Sequence, residues 1–318
     1  MSAQLQESPT GAQWFTWLEG VEVCPGIWRD IPNELYHRGP GISKSGLDLI
    51  DTSGALYWTM KQHPREATDA MFLGTVLHAL VLEPDTFEAR YIAAPANAPR
   101  KPADRERYAK KPSPETLARV EWWDNFEREA EGRQVVPNDD GDTIWKRDVW
   151  STVHYMRDAI MAHPEAAIFL DPSDIISELS HYWIDPDTKR LCKCRHDAWN
   201  GPNRMIVDLK SARDATLSGF QRAVHDMRYD VAAAWYQDGT RRCAQIVESM
   251  IFVVCEKQPP YHVAAYEIDP NWVREGRIKY QRNLMAYDQM LREQQWPGLP
   301  DVTRILPQPM YARFNPVS

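Results

Sequence analysis

The segment Arg195–Ala212 reads RHDAWNGPNRMIVDLKSA and carries the most informative pattern in the chain. Its Met205–Val207 run is typical of a short apolar strand, and the Asn-Gly-Pro-Asn sequence before that run is a turn signal. The pattern predicts a β-hairpin with Asp197 on the first strand and both Asp208 and Lys210 on the second. Alternate residues of a strand share a face, so we expect the side chains of Asp208 and Lys210 to point the same way.

The charged residues of this hairpin suit a divalent metal ion. If the carboxylates of Asp197 and Asp208 converge on one point, they form an all-oxygen site for Mg²⁺ or Mn²⁺. The ammonium group of Lys210 beside them would steady a nucleophilic water or the charge that develops on a phosphate. For the Asp-x-Lys tripeptide alone, an ordinary ion pair at a strand end is the structural alternative. The upstream Asp197 favours the metal site.

The composition is that of a soluble globular protein with one large or two ordinary domains. Of 318 residues, 43% are hydrophobic and 26% are charged, and no apolar run approaches the length of a membrane span. Because no charged-then-apolar signal segment opens the chain, we expect a cytoplasmic location without a membrane partner. The five cysteines include no Cys-x-x-Cys pair and are expected to be buried thiols. The net charge of −8 still allows a local basic channel.

Changes in composition along the chain divide it into three parts. We expect an N-terminal arm over residues 1–30, one domain over residues 31–296 and a Pro-rich tail over residues 297–318. Within the domain, residues 93–165 are predicted to form a helical and loop insertion that opens with a Pro/Ala linker and a basic loop. This insertion is either a solvated element or an arm that lies over nucleic acid.

A loop rich in Gly and Pro precedes Ser43-Lys44-Ser45, where a helix is predicted to begin. Ser43 is placed to cap this helix, which we expect to run through Ile50 toward Trp58. The helix start is also a candidate anion site, because its free amides, the two hydroxyls and Lys44 could hold a phosphate.

The segment 70–82 is predicted to be a buried helix, since it is apolar on nearly every side. His78 lies in its middle, and Gly74, four residues earlier, would let a backbone or a ligand approach the same face. A hydrogen-bonded core histidine and a metal ligand both remain open for His78.

The segment 174–184 alternates polar and apolar residues as a half-buried strand does. A turn then leads back through residues 190–195 to Asp197, which predicts an antiparallel meander with Glu178, Asp197 and Asp208 on successive strands. Glu178 is either a site residue or an ordinary solvent-facing residue. The remaining predicted elements are a helix around Ser218–His225, a buried helix over Tyr229–Gly239 that stops at Gly239, strands at Ser249–Glu256 and His262–Ile268, and a long helix at about Pro270–Glu293.

Taken together, these segments resemble the PD-(D/E)XK nuclease superfamily, and most closely the C-terminal nuclease domain of the exodeoxyribonuclease VIII (RecE-type) family. The resemblance implies an α/β (α+β) fold, with a PD-(D/E)XK restriction-endonuclease-like core and a mixed central β-sheet flanked by helices. The segments that carry it are Ser-Lys-Ser-Gly-Leu-Asp-Leu-Ile at 43–50, Gly-Thr-Val-Leu-His at 74–78, Cys-Arg-His-Asp at 194–197, Ile-Val-Asp-Leu-Lys at 206–210 and Tyr-Asp-Val-Ala-Ala-Ala-Trp-Tyr at 229–236.

The resemblance also implies roles for individual residues. Asp197 matches the first Asp of the motif, with His196 in place of the usual Pro, while Asp208 and Lys210 match the D/E and K positions. The implied ligands of one Mg²⁺ or Mn²⁺ ion are His78, Asp197, Asp208 and the Leu209 carbonyl. Glu178 matches an upstream acidic position that would share a second ion.

The later helix departs from the family pattern. Family members usually have Gln-x-x-x-Tyr there, but Ala232 stands where Gln is expected and Tyr236 remains. The role of the Gln is either lost or taken by Gln221 or Gln237. Tyr236 and Arg195 are expected to support the site.

The function implied by the resemblance is a Mg²⁺-dependent 5′–3′ exonuclease on linear double-stranded DNA that leaves 3′ overhangs for recombination. Such enzymes form homo-oligomeric rings and work with a single-strand annealing protein. Ser43, Lys44, Ser45 and Arg38 are then candidates for binding the 5′-phosphate. An endonuclease, a single-strand-specific nuclease of the same superfamily and a non-catalytic DNA-binding ring subunit are the alternatives.

Overall fold

The computed structural model describes residues 4–7, 15–16, 22–65, 68–138 and 148–307. The strands are β1 (Gln4–Glu7), β2 (Phe15–Thr16), β3 (Glu22–Val23), β4 (Gly26–Arg29), β5 (Tyr91–Ala93), β6 (Gln134–Val136), β7 (Ile175–Ile184), β8 (Leu191–Asn200), β9 (Met205–Ala212), β10 (Ser249–Glu256) and β11 (Val263–Glu267). The helices are α1 (Asn33–Arg38), α2 (Lys44–Thr52), α3 (Gly54–Gln62), α4 (Asp69–Leu82), α5 (Pro84–Arg90), α6 (Asp104–Arg107), α7 (Pro114–Glu129), α8 (Val149–Ala162), α9 (Pro164–Phe169), α10 (Leu217–Asp226), α11 (Tyr229–Arg242) and α12 (Pro270–Glu293).

A seven-stranded sheet in the order β1-β4-β7-β8-β9-β10-β11 forms the centre of the protein. Its neighbouring strands are antiparallel except for β9 and β10, which run parallel. A parallel pair needs a crossover connection, and here α10 and α11 supply it between the two strands. The mixed central sheet predicted from the sequence is therefore confirmed.

Helices cover both faces of this sheet. Because side chains alternate along the strands, they pack into two hydrophobic cores, one on each face. On β9 and β10, Ile206 and Phe252 belong to one core, and Val207 and Val253 belong to the other. The first core includes residues of α2, α10, α11 and α12, and the second includes residues of α4, α5, α8 and α9. Asp208, two residues after Ile206, lies on the face of the first core.

The single helix predicted from Ser43 toward Trp58 is wrong, because two helices occupy this segment. Ser43 caps α2 as expected, accepting a hydrogen bond from the Gly46 amide at 3.3 Å. Ser53 then interrupts the helix in extended backbone and caps α3, accepting from the Leu56 amide at 3.1 Å. A serine hydroxyl competes with the helix for backbone amides, which explains the break.

The predicted stop at Gly239 is also wrong, because α11 continues to Arg242. Gly239 lies inside the helix and faces the ring of Trp183. A Cβ atom at this position would lie 2.5 Å from Trp183 Cζ3, so the glycine permits close helix–sheet packing rather than ending the helix.

The predicted arm over residues 1–30 and the predicted insertion over residues 93–165 both contribute to the central layers. Strand β4, within the arm assigned to residues 1–30, pairs with β7, and Trp28 is buried. Helix α8, at the end of the insertion assigned to residues 93–165, buries Val153, Met156 and Ile160 in the second core. Pairing and packing with distant elements decide both placements.

The predicted bounds of strand β10 and helix α12 are confirmed. Four of the five cysteines are buried as predicted, Cys243 is only partly buried, and no disulfide joins them among the described residues. Among the helices of the described residues, none has both the length and the apolar character that crossing a membrane requires.

Candidate active site

The predicted hairpin is present, and its two strands diverge at the site. Strands β8 and β9 pair from Asn200–Met205 to Ala198–Val207, and no later pair of this ladder follows in the described residues. Beyond that point the Leu209 amide donates to Oδ2 of Asp197 at 2.8 Å. Asp197 thereby bridges the two strands where their backbones separate.

Helix α4 brings His78 to this point. His78 Nε2 lies 2.8 Å from the carbonyl oxygen of Leu209, and Nδ1 lies 3.5 Å from Oδ1 of Asp197. One turn earlier, a Cβ atom at Gly74 would lie 3.8 Å from the Ser211 hydroxyl, so the helix packs closely along β9. The structure thus groups three of the ligand positions predicted from the sequence.

Glu178 lies opposite Asp197, between the pairs Ser177–Ala198 and Leu179–His196 of the β7–β8 ladder. Its φ of +51° is in the left-handed region, which costs a residue with a side chain on the order of 1 kcal/mol or more. Such strain persists only where the surrounding structure imposes it, and it is concentrated at functional sites.

The residues present fit a divalent metal ion. Ligand atoms of His78, Glu178 and Asp197 all lie within 4.8 Å of one another. Asp208 is outside that group, but one of its oxygens contacts the Lys210 ammonium, and its buried Oδ2 has no hydrogen-bond partner among the described residues. A buried carboxylate oxygen without a partner is costly, and a cation beside it would remove that cost.

The charges of the site are strongly coupled. Burial raises the pKa of Asp208, and burial together with the Asp197 charge raises the pKa of Glu178 to about 7. Burial also opposes the ionisation of Asp197, but His78, Lys210 and the amide hydrogen bond lower its pKa. Bound metal requires ionised carboxylates, so binding at this site would release protons near neutral pH.

A cleft of about 830 Å³ opens at this site. His78, Glu178, Asp197 and Tyr236 line it, whereas Asp208 and Lys210 are not among the described residues that do so. The other polar and charged residues of the walls are Asp30, Asn33, Tyr36, His37, Ser43, Lys44, Ser45, Thr75, Glu83, Thr86, Arg90, Ser177, Lys193 and Arg195.

The helix-start residues predicted to hold a phosphate form part of the cleft wall. The hydroxyls of Ser43 and Ser45 lie 3.0 Å apart. The Lys44 ammonium donates to the Met227 carbonyl at 2.9 Å and lies 2.7 Å from a carboxylate oxygen of Asp48. The two serines are therefore better placed than Lys44 to meet a ligand.

Arg38, the fourth candidate for phosphate binding, is not among the described residues that line the cleft. Its guanidinium is largely exposed and lies 3.2 Å from a carboxylate oxygen of Glu34, one turn earlier in α1. Its position thus separates it from the other three candidates.

Arg195, predicted to support the site, is almost fully buried behind Glu178. Its guanidinium donates to the Ser180 hydroxyl at 2.8 Å and the Ile31 carbonyl at 2.9 Å. It lies 3.7 Å from Oε2 of Glu178 and 4.1 Å from the centre of the Tyr36 ring. These contacts fix a positive charge beside the carboxylate.

Lys193 belongs to the same wall, although it was not predicted from the sequence to be a site residue. It donates to the carbonyls of Tyr36 and Gly39 at 2.5 and 2.8 Å, and burial lowers its pKa to about 7. Lys193, Arg195 and Asp197 alternate along β8, so the period of two in the sequence was the signal that could have found it.

Gln221 and Gln237 are the predicted substitutes for the missing family Gln. Gln221 is exposed on α10, and Gln237 accepts a hydrogen bond from Arg241 at 3.2 Å. Neither lines the cleft among the described residues. Ala232 is buried, and Tyr236, one turn later, lines the cleft.

The chain matches the model of a family described as a PDDEXK-like domain of unknown function (DUF3799) over residues 43–303. A comparison with curated proteins finds no significant match. Among solved structures, the chain is similar to a protein from Eubacterium rectale that is provisionally described as an exonuclease. That similarity has 12% identity and a TM-score of 0.54, and it covers 88% of this chain and 96% of the other.

A phage related exonuclease from Haemophilus somnus 129PT is more distant, with 10% identity and a TM-score of 0.30 over 63% of this chain and 92% of its own. The first structural similarity shows a shared fold, and the second is too weak to add to it. The family match spans all the predicted metal-site residues, from His78 to Lys210. The chain therefore belongs to the PDDEXK-like domain family (DUF3799) and to the PD-(D/E)XK nuclease superfamily.

Proposed function

We propose that this protein is a Mg²⁺-dependent 5′–3′ exonuclease that acts on linear double-stranded DNA. It releases nucleotides and leaves 3′ single-stranded overhangs for recombination by strand annealing. The observation that carries the proposal is the group of His78, Glu178 and Asp197 in a cleft whose wall includes the start of a capped helix. The three side chains would supply the metal-dependent chemistry, and the helix start would bind the end of the DNA.

One ion would be held by His78, Asp197, Asp208 and the Leu209 carbonyl, and Glu178 would share a second. Oxygen and imidazole ligands suit Mg²⁺ or Mn²⁺. A bound divalent cation would lower the pKa of a water molecule and offset negative charge at the phosphate.

Other side chains of the protein would position the water, the phosphate and the carboxylates. Lys210 orients the attacking water and donates to a phosphate oxygen as negative charge develops there. Asp208 holds the Lys210 ammonium at the site, and Arg195 holds Glu178 in place. Tyr236 lines the cleft together with Asp197.

Residues of the cleft wall would set the 5′–3′ direction of digestion. Ser43 and Ser45, at the start of α2, and Lys44 between them would bind the 5′-phosphate of the strand being digested, with Arg38 further out. A helix start offers amides and a favourable dipole for such an anion. Contacts of this kind position the duplex and carry no sequence information.

We further propose that the protein forms a homo-oligomeric ring, a trimer or a tetramer, around the duplex and works with a single-strand annealing protein. The net charge of −8, together with basic residues inside the cleft, supports this arrangement. A negative outer surface lets such a ring track DNA without binding it broadly. Light scattering with and without duplex DNA measures the number of subunits.

The decisive experiment digests linear duplexes labelled at either end, with and without a 5′-phosphate, in Mg²⁺ and in EDTA. Closed-circular DNA of the same sequence is the matched substrate, and Asp208→Asn is the matched protein. We expect Mg²⁺-dependent loss of the 5′ label from linear phosphorylated duplex, and neither circular DNA nor the variant should react.

Three results would contradict the proposal. Cutting of closed circles would indicate an endonuclease, and preference for single strands would indicate a single-strand nuclease. Binding of DNA ends without release of nucleotides in Mg²⁺ or Mn²⁺ would indicate a non-catalytic DNA-binding subunit.

A further inference from the structure

The ammonium of Lys210 has a second neighbour besides Asp208. Its Nζ atom lies 5.2 Å from the centre of the Tyr229 ring, within the distance at which an aromatic face attracts a cation. Tyr229 is the first residue of α11 and is partly buried. The contact joins the helix that lacks the family Gln to the Lys of the motif.

Tyr229 shares a helix face with two residues already placed at the site. Tyr229, Ala232 and Tyr236 are spaced i, i+3 and i+7, a spacing that aligns side chains along one side of a helix. Tyr236 lines the cleft, and Ala232 offers no group that hydrogen-bonds. The aromatic ring of Tyr229, one turn before Ala232, therefore supplies a contact with the site that Ala232 cannot.

The surrounding structure fixes the Tyr229 ring. Its centre lies 6.0 Å from that of Phe220 and 5.9 Å from that of Phe252 in the first core. The preceding residue, Arg228, has a left-handed backbone with φ of +54°, and its guanidinium is bound by Asp48 at 2.8 Å. The start of α11 is thus held from both sides.

We propose that Tyr229 is a positioning residue for Lys210, which rests on the nuclease function proposed above. An ammonium has three N–H donors, and Asp208 accepts one. The face of the Tyr229 ring attracts the charge without using up a conventional acceptor, so the other donors remain available to a water or a phosphate oxygen. The ring holds Lys210 in place where the family's amide side chain is missing.

Simple core packing is the competing explanation, and three variants separate the two. Tyr229→Phe keeps the aromatic face, whereas Tyr229→Leu keeps an apolar side chain and removes the face. Tyr266→Leu is the matched control, because the Tyr266 ring stacks on Phe220 at 5.5 Å in the same aromatic cluster. Among the described contacts of Tyr266, none involves Lys210.

Steady-state digestion of linear duplex in Mg²⁺ measures kcat and KM for each variant. We expect Tyr229→Phe to retain wild-type kcat and Tyr229→Leu to lose about tenfold in kcat with KM nearly unchanged, in line with the usual strength of a desolvated cation–π contact. Tyr266→Leu should lower the melting temperature while kcat stays near wild type. Equal losses of kcat in the two Leu variants would overturn the inference.

A second readout does not depend on activity or on a folded Leu variant. In wild-type protein labelled with ¹³C at the lysine ε-carbons, the Lys210 resonance is assigned by its loss in Lys210→Met. We expect its ε-protons to show an upfield ring-current shift, which Tyr229→Phe retains. A Lys210 resonance at the ordinary lysine position in wild type would overturn the inference. An upfield shift in a protein without nuclease activity would uphold the contact and refute the proposed function instead.

Discussion

The Nε2 atom of His78 lies 2.8 Å from the carbonyl oxygen of Leu209, although 131 residues separate them in the chain. This is the distance of a hydrogen bond in which Nε2 donates to the carbonyl oxygen, and it leaves Nδ1 of His78 facing the Asp197 carboxylate. Asp197 contacts both residues, so the three lie together at the site.

Replacing His78 by Ala should weaken metal binding, because one of the few ligands at a mainly carboxylate site is lost. We expect the affinity for Mn²⁺, measured by calorimetry, to fall on the order of 10- to 100-fold, a range typical when a supporting group of a metal site is lost. His225→Ala is the control, since His225 is exposed on α10. Unchanged Mn²⁺ affinity in His78→Ala would remove this residue from the site.

Asp208→Asn should abolish activity without unfolding the protein. The variant loses the negative charge of a proposed metal ligand and of the carboxylate that holds Lys210, so we expect nuclease activity to fall by roughly 10³-fold or more. The metal-free variant should fold but melt at a lower temperature than wild type, because the substitution leaves the Lys210 ammonium without its carboxylate partner. Activity assays and thermal melts in EDTA test both parts, with the exposed Asp226→Asn as control.

The raised pKa of Glu178 predicts how stability depends on pH. Its folded-state pKa of about 7 exceeds the ordinary value, so between about pH 4.5 and 7 the folded protein keeps a proton that the unfolded chain has released. This contribution to stability is therefore lost as the pH rises through that window. We expect the melting temperature in EDTA to fall from pH 5 to pH 8, and Glu178→Gln to flatten that fall.

Metal binding should show the opposite dependence on pH. If Glu178 and Asp208 hold the cation as proposed, they do so in their ionised forms, so Mn²⁺ affinity should rise from pH 6 to pH 8, and saturating metal should offset the loss of stability. A Mn²⁺ affinity that stays constant over this range would show that these carboxylates are already ionised in the metal-free protein.

The two serines of the cleft wall should behave differently when replaced. Ser43 caps α2, so Ser43→Ala should cost about 1 kcal/mol of stability and also weaken the preference for a 5′-phosphate. Ser45→Ala leaves the cap in place and should weaken only that preference. Rates on phosphorylated and unphosphorylated duplexes measure the effect. An unchanged ratio of these rates in both variants would place the 5′-phosphate elsewhere.

Gly276 should be essential for packing α12 against the start of α11. A Cβ atom at Gly276 would lie 2.1 Å from the Asp230 carbonyl oxygen, so backbone has to move to admit it. We expect Gly276→Ala to destabilise the protein by roughly 1–3 kcal/mol, which denaturant unfolding can measure. Gly298→Ala is the control, because nothing lies within 4 Å of its Cβ position. Equal stability of the two variants would contradict this packing.

Local pattern determined much of the fold and the hairpin that carries the site. The apolar run Met205–Val207 and the turn before it predict β8 and β9, and the apolar periodicity of 270–293 predicts α12 at its observed bounds. These signals are local, since burial of one face of a strand or helix repeats with the period of its own backbone. The order of motif residues along the chain was enough to name the superfamily.

Only the tertiary structure decided what lies beside these residues. The left-handed backbone of Glu178, the hydrogen bond from Lys44 to the Met227 carbonyl and the ring of Tyr229 above Lys210 all depend on contacts between different elements. The sequence predicts that Gly239 ends a helix, but in the structure Gly239 packs closely against the ring of Trp183. Contacts between distant elements leave no periodic trace in the sequence, because each is set by how whole layers pack together and not by the propensity of one segment.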